Sequence, residues 1–253
     1  MIEGSHSSAS GIGSSGVRKS GIRQRHAASY RRPGPSQGMR AKRMAVRYIA
    51  APDSGMFARP RISIVNVGYR STNVWVVSAG TSRLLLDLGW PGTMDTLRAN
   101  LTRKDVPLRE IRYGLATHYH IDHAGLAQEL KQVGMRLLVP DLQLPFIPRI
   151  ADHVKPSDHF TEISLHDNHV ITIAESRAVL TSIGIEGQIL HTPGHSDDSV
   201  SLLLDGGEVF TGDLTHPMFA TEETSDVVTA SWDQLIDHGA TTVYPGHGPT
   251  RPL

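Results

Sequence analysis

"THYHIDHAG", residues 117–125, crowds His118, His120, Asp122 and His123 into six positions directly after the apolar run "IRYGLA". Imidazoles and a carboxylate are costly to bury side by side unless a charge or polar partner satisfies them, and a metal ion is an obvious candidate. His118 and His120, two apart in an extended segment, project to the same side. Asp122 and His123 fall where the chain turns into the next helix, so the second pair is free to face a second metal. Asp122 in that position also reads as an N-cap, a common structural use of aspartate.

Four later stretches share one feature with this cluster. "DLG" (87–89) carries Asp87, "HTPGHS" (191–196) carries His195, "FTGD" (210–213) carries Asp213, and "YPGHG" (244–248) carries His247. In each, a polar residue stands at or just past a strand-like run, where a sheet presents side chains rigidly toward a shared cleft. The runs "ISIVNV", "NVWVVSAG" and "SRLLLDLG" read as a β-meander. "TMDTLRANLTRK" reads as a helix starting near Thr93 or Asp95, "AGLAQELKQVG" as a helix stopped by Gly134, and "RLLVP" as a strand. The span 141–168 reads equally as helix or as loop broken by Pro145 and Pro148. In the second half "HVITIA" and "QILHTPG" are strand-like, "SVSLLLDGGEVFTGD" is a hairpin through Gly206-Gly207, "TASWDQLIDHG" is a helix and "TTVYPG" a last strand. Two β-rich halves, each finished with helices, predict an α/β fold of four layers, an αβ/βα sandwich.

Composition separates an arm from a body. Of the 25 basic and 25 acidic side chains, residues 1–47 hold ten and one, which leaves 15 against 24 in the remainder, a net of −9. Residues 1–45 form a Ser/Gly/Arg-rich segment that reads as a flexible arm or tail, with the Arg-rich, acid-poor bias of a transit peptide as a second reading and a later start at Met39 or Met44 as a third. Residues 46–253 form the domain. No secretory apolar stretch and no membrane span is visible, so a cytoplasmic location is the expectation. There is no cysteine, which excludes disulfides and thiolate ligands.

Taken in order, Asp87, "HYHIDH", "TPGHS", "TGD" and "PGHG" resemble the five motifs of the metallo-β-lactamase superfamily, over about residues 60–250. The resemblance implies one metal held by His118, His120 and His195, a second held by Asp122, His123 and His247, and Asp213 bridging them. Asp87 would orient the ligands without binding metal. Two Zn²⁺ ions suit this donor set, and iron, manganese or nickel are also compatible. Two such ions sharing a water would lower its pKa from 15.7 toward about 7, giving hydroxide at neutral pH, with Asp122 placed to orient it.

The expected activity is hydrolysis of an acyl substrate, a lactone, ester or thioester. Asp213 stands where true metallo-β-lactamases carry a Cys or Ser-type residue, which makes β-lactam hydrolysis incidental. Glyoxalase II is similar at every ligand position but adds a helical, basic C-terminal extension, whereas this sequence stops six residues after His247. The complete ligand set is also similar to that of quorum-quenching lactonases. Between Arg177 and Arg251 there is no Lys or Arg. Phosphodiesterases and nucleases place cations beside the reacting group, so nucleic acid is not the expected partner and any anion clamp must come from the first half or the arm. A neutral small-molecule substrate is therefore expected, with Trp90, Met218 and Phe219 as candidate pocket walls and an oligomer possible. An iron persulfide dioxygenase of the same fold is the alternative. His191 reads as structural rather than as a ligand, and His216, three after Asp213, as a satisfied surface histidine or one that reaches the cleft.

Overall fold

The computed structural model describes residues 61–253. The expected arm at 1–45 and the boundary at residue 46 lie outside the described residues.

Alternation along the strands builds the layers. The first sheet contains β1 (Ile62–Asn66), β2 (Trp75–Ala79), β3 (Ser82–Leu86), β4 (Ile111–Leu115), β5 (Arg136–Pro140) and β6 (His169–Ile171), side by side in chain order. The β1–β2–β3 meander is antiparallel, and β3 through β6 run parallel. Helix α1 (Met94–Arg103) connects β3 to β4, and the short helices α2 (Ile121–Ala124) and α3 (Ala127–Gln132) connect β4 to β5. Successive side chains of a strand face opposite ways. Within "LLL" of β3, Leu85 therefore joins Leu97 and Leu101 of α1 and Leu130 of α3 in an outer cluster, while Leu84 and Leu86 join a cluster between the sheets. In β2, Val76 faces outward and Trp75 and Val77 inward.

The second sheet repeats the pattern with β7 (Gly187–His191), β8 (Val200–Leu204), β9 (Glu208–Gly212), β10 (Thr242–Pro245) and β11 (Arg251–Pro252), in the order β11-β10-β9-β8-β7. Leu203 and Val209 pack on Val228, Trp232 and Leu235 of α5 (Ser225–Asp237), whereas Leu202, Leu204 and Phe210 face the first sheet. Both sheets are covered on both faces, which is why their strands read as near-continuous apolar runs. The result is the expected helix–sheet–sheet–helix sandwich.

Three details depart from or complete the sequence reading. Helix α4 (Ser176–Ser182) lies in a stretch where none was expected; its Leu180 enters the inter-sheet cluster, and a Thr172/Glu175 capping box starts the turn that leads into it. The span after β5 folds mainly as 3-10 turns, among them Ile147–His153, because Pro145 and Pro148 cannot donate to an α-helical ladder. Strand β11 follows the strand expected to be last. Gly134, at φ 101°, ends the α3 segment as expected. No helix among the described residues is long and apolar enough to cross a membrane.

Phe210 is fully buried between the sheets, edge-on to Trp75 with ring centroids 6.0 Å apart and tilted against Tyr244 at 4.9 Å. Phe210→Ala should lower unfolding free energy by about 3–5 kcal/mol. Urea titration followed by circular dichroism checks this, and a loss below about 1 kcal/mol would show that the inter-sheet layer relaxes around the gap.

Candidate metal centre

The strand ends that carry the sequence motifs converge at one edge of the sandwich. Asp87 follows β3 in a left-handed conformation, φ 58°, which aspartate tolerates better than most residues. Its backbone N–H donates to Leu115 O at 2.9 Å, so it is stitched to the end of β4. Asp87 Oδ1 accepts hydrogen bonds from Thr117 N (2.8 Å) and Thr117 Oγ1 (2.9 Å), and Oδ2 lies 2.9 Å from His123 Nδ1. This one carboxylate fixes both the start of the HYHIDH segment and the ring at its end.

His118 Nδ1 lies 3.2 Å from Thr117 Oγ1, which leaves Nε2 facing the cluster. His120 Nδ1 and His195 Nε2 are 3.1 Å apart. On the other side, His247 Nε2 is 3.2 Å from Asp122 Oδ2 and 3.3 Å from Asp213 Oδ2, while its Nδ1 donates to Ser71 O at 2.6 Å. His123 Nε2 sits 3.3 Å from both Asp122 Oδ2 and Asp213 Oδ1. Asp213 Oδ2 also lies 3.8 Å from His195 Nε2, so Asp213 stands between the two groups of rings. The donor atoms of His118/His120/His195, of His118/His123/Asp213 and of Asp122/His123/His247 each lie within 4.8 Å of one another.

These donors fit metal. His118 Nε2, His123 Nε2 and Asp213 Oδ1 are buried and make no hydrogen bond. Leaving such atoms unpaired is costly unless something else satisfies them. A tetrahedral ion with bonds of about 2.0–2.1 Å spaces its donors about 3.3 Å apart, which is the spacing seen around His123 and His247.

The protonation states favour cation binding in part of the cluster. Burial, and then the neighbouring imidazoles, push His118 well below the ordinary histidine value, so its ring is neutral. His195 is lowered chiefly by burial, against the pull of Asp213. Burial alone would raise Asp122 and Asp213, yet His123 and, for Asp122, the Thr72 hydroxyl outweigh it and hold both carboxyls below the usual range. His123 moves the other way: burial disfavours its proton, and Asp87, Asp122 and Asp213 more than offset that. A cation at Asp122 and Asp213 would take over that proton's role.

Several supporting residues escaped the sequence reading. Thr72 Oγ1 donates to Asp122 Oδ2 at 2.9 Å and accepts from Trp90 Nε1 at 3.1 Å. Asn73 Nδ2 donates to Pro245 O and Gly248 O, and Asn73 N to Gly246 O, clamping the 69–74 loop onto the turn that bears His247. Asp198 Oδ2 accepts from Tyr119 N at 2.7 Å, and buried Gln143 Nε2 reaches Thr117 O and Asp198 O. Gly246 must be glycine, since a Cβ there would collide with Asp213 Oδ1 and lie 2.7 Å from His123 Cε1. The one local signal was a "TN" pair ahead of an apolar strand, a weak turn cue without a chemical label.

A family profile described as the metallo-beta-lactamase superfamily matches residues 67–247, a stretch that contains all seven donors. The chain belongs to the metallo-beta-lactamase superfamily. Among similar proteins, a lactamase-like protein of Pestalotiopsis microspora is 28% identical over 187 residues, covering 71% of this chain and 50% of its own length. An atrochrysone carboxyl ACP thioesterase of Aspergillus novofumigatus is 31% identical over 185 residues, covering 71% and 49%. The chain thus spans about half the length of these curated relatives. Among solved structures, the protein TTHA1623 in a di-iron-bound form superposes with a TM-score of 0.58 at 24% identity, covering 75% of this chain and 94% of that one.

Relative to this superfamily centre, the expected pocket residues scatter. Trp90 lies behind Asp122, as the donor to Thr72, and lines a separate cavity with Arg70 and His159. Met218 and Phe219 are 79% and 76% exposed and line none of the cavities beside the donors. His191 spends a ring nitrogen on Asp197 O, as expected for a structural histidine, and exposed His216 accepts from Met218 N, as expected for a satisfied surface one.

Thr72→Val removes the hydroxyl that orients Asp122 while keeping its shape. It should weaken metal binding at Asp122 about 10–100-fold, with Thr72→Ser restoring most of the loss. Competition titration with a chromophoric chelator reads this directly. Equal affinities in wild type and Thr72→Val would remove the orienting role.

Proposed function

We propose that this chain is a binuclear metallohydrolase acting on an acyl substrate, a thioester, ester or lactone. The observation that carries the reading is the placement of Asp213 between two donor groups, 3.3 Å from His247 and His123 and 3.8 Å from His195. His118, His120 and His195 would hold one ion, Asp122, His123 and His247 the other, and Asp213 would bridge. Two Zn²⁺ ions suit these donors, and iron, manganese or nickel would also be accepted. When bound, the metal pair supplies a polarised carbonyl and a water of lowered pKa.

The chain's own residues divide the remaining work. Asp122, whose Oδ2 accepts from the Thr72 hydroxyl at 2.9 Å, is held in place to accept a hydrogen bond from the attacking water and align it. Oxygen adds to the acyl carbon, the bond from that carbon to sulfur or oxygen breaks, and the proton from water ends on the departing thiolate or alkoxide. Ile121 and Ile150 line a cavity that also reaches Asp122, which offers an apolar bed for the acyl chain. The thioesterase name of the Aspergillus relative supports the thioester within this class.

A zinc-loaded preparation should hydrolyse acyl thioesters or lactones, lose activity on chelation and regain it with zinc. His120→Ala and Asp213→Ala should each lower kcat at least about 100-fold with circular dichroism unchanged. Wild-type turnover in either variant would sink the binuclear reading. Persulfide-dependent oxygen uptake by a protein holding one iron, without acid release from any ester, would replace it with the dioxygenase chemistry.

A further inference from the structure

Two cavities flank His120, and they share Tyr119, His120 and His153. The larger, about 360 Å³, opens onto His120 and His195 and is faced by Phe146, Arg149, His153 and Asp197. We propose that this cavity receives an anionic group of the substrate, a carboxylate or a phosphate, and that Arg149 selects it. The proposal rests on the acyl-hydrolase reading above and narrows its substrate class.

The charge distribution around the cavity carries the argument. No Lys or Arg occurs between Arg177 and Arg251, so the His195 side contributes no permanent cation. The opposite wall is the 3-10 turn Ile147–His153, and Arg149 is its permanent positive charge. Arg83 and Arg177 are committed to Glu110 and Asp205. The Arg149 guanidinium makes no ion pair or hydrogen bond among the described residues and rests 4.6 Å from the Phe146 ring centroid. A guanidinium stacked on a ring loses little further freedom on binding, and its planar edge is left for a two-oxygen anion.

The acids on the His195 side are arranged asymmetrically. Asp198 is buried and spends its carboxylate on Tyr119 N, so it does not compete for Arg149. Asp197 is exposed at the cavity and opposes anion entry. Removing the Asp197 charge should therefore strengthen the same preference that removing the Arg149 charge abolishes. On this proposal the substrate is neutral at its reacting carbonyl, as the sequence suggests, and carries an anionic group some distance away.

The test uses the full-length, zinc-loaded protein and three acetyl thioesters built on one thiol skeleton, ending in a carboxylate, a phosphate or a carboxamide. The ratio of kcat/KM for the better anionic probe to that for the carboxamide should exceed about ten in wild type. It should fall about tenfold in Arg149→Gln, through KM, remain partly in Arg149→Lys, and rise in Asp197→Asn. The preferred anion identifies the terminal group. An unchanged ratio in Arg149→Gln overturns the proposal. Calorimetric binding of the matching unreactive thioethers separates this from the reaction itself. If no thioester is hydrolysed, the thioester branch of the acyl-hydrolase reading fails on its own. An anionic thioether that binds more tightly than the neutral one, and loses that advantage in Arg149→Gln, still supports the Arg149 site, while equal affinities in wild type overturn it.

Discussion

The buried carboxylate of Asp87 is the contact on which the site depends. It leaves β3 with a backbone twist that costs free energy, and it recovers that cost through Thr117 N, Thr117 Oγ1 and the His123 ring. Those three partners belong to the segment that holds four of the seven donors. Without them, the end of β4 would have no reason to present its histidines at a fixed angle. A charge 1% exposed is tolerated here because every bond it makes is also a positioning bond.

The donor cluster has a dry floor and a wet rim. His118 and His123 are buried at 1% and 0% exposure, whereas His120, His195 and His247 reach solvent. The cavities beside the donors open on the His120 side. A low-dielectric floor strengthens the hold on a cation, and an accessible rim leaves room for exchangeable ligands. The sandwich produces this gradient without special devices: the floor is where β4 ends inside the core, and the rim is where loops leave it.

Much of this was legible in the sequence, for definite physical reasons. The strands of both sheets other than β11 announced themselves because burial demands apolar runs, and the donors stood at or just past the ends of those runs. Residues that act through a backbone group or through another side chain left no comparable trace. Thr72 looks like any turn threonine until its hydroxyl is seen against Asp122. Gln143 and Asp198 carry polar labels, yet only the meeting of two loops explains their burial. Helix α4 was missed because "SRAVLTS" offers a short and Ser-rich apolar stripe, and its start lay in the Thr172/Glu175 pairing upstream. The cavity walls were the least legible. Arg149 sits in a proline-broken span with no periodicity to say which way its side chains face, whereas Met218 and Phe219 drew attention by their apolarity and stand in solvent.

The clamp between the 69–74 loop and the His247 turn bears on how the molecule is made. Ser71 and His247 are 176 residues apart, and Asn73 reaches Pro245 and Gly248 across nearly the same span. Contacts of such sequence separation carry a large loop-closure cost, which slows folding. A ribosome-bound intermediate that has released the first sheet already carries His118, His120, Asp122 and His123, yet it lacks His195, Asp213 and His247. Only when the last of these emerges is the donor set complete. Each triad of donor atoms takes two members from the HYHIDH segment and one from the second half, His195, Asp213 or His247, so no triad exists until the two halves are joined.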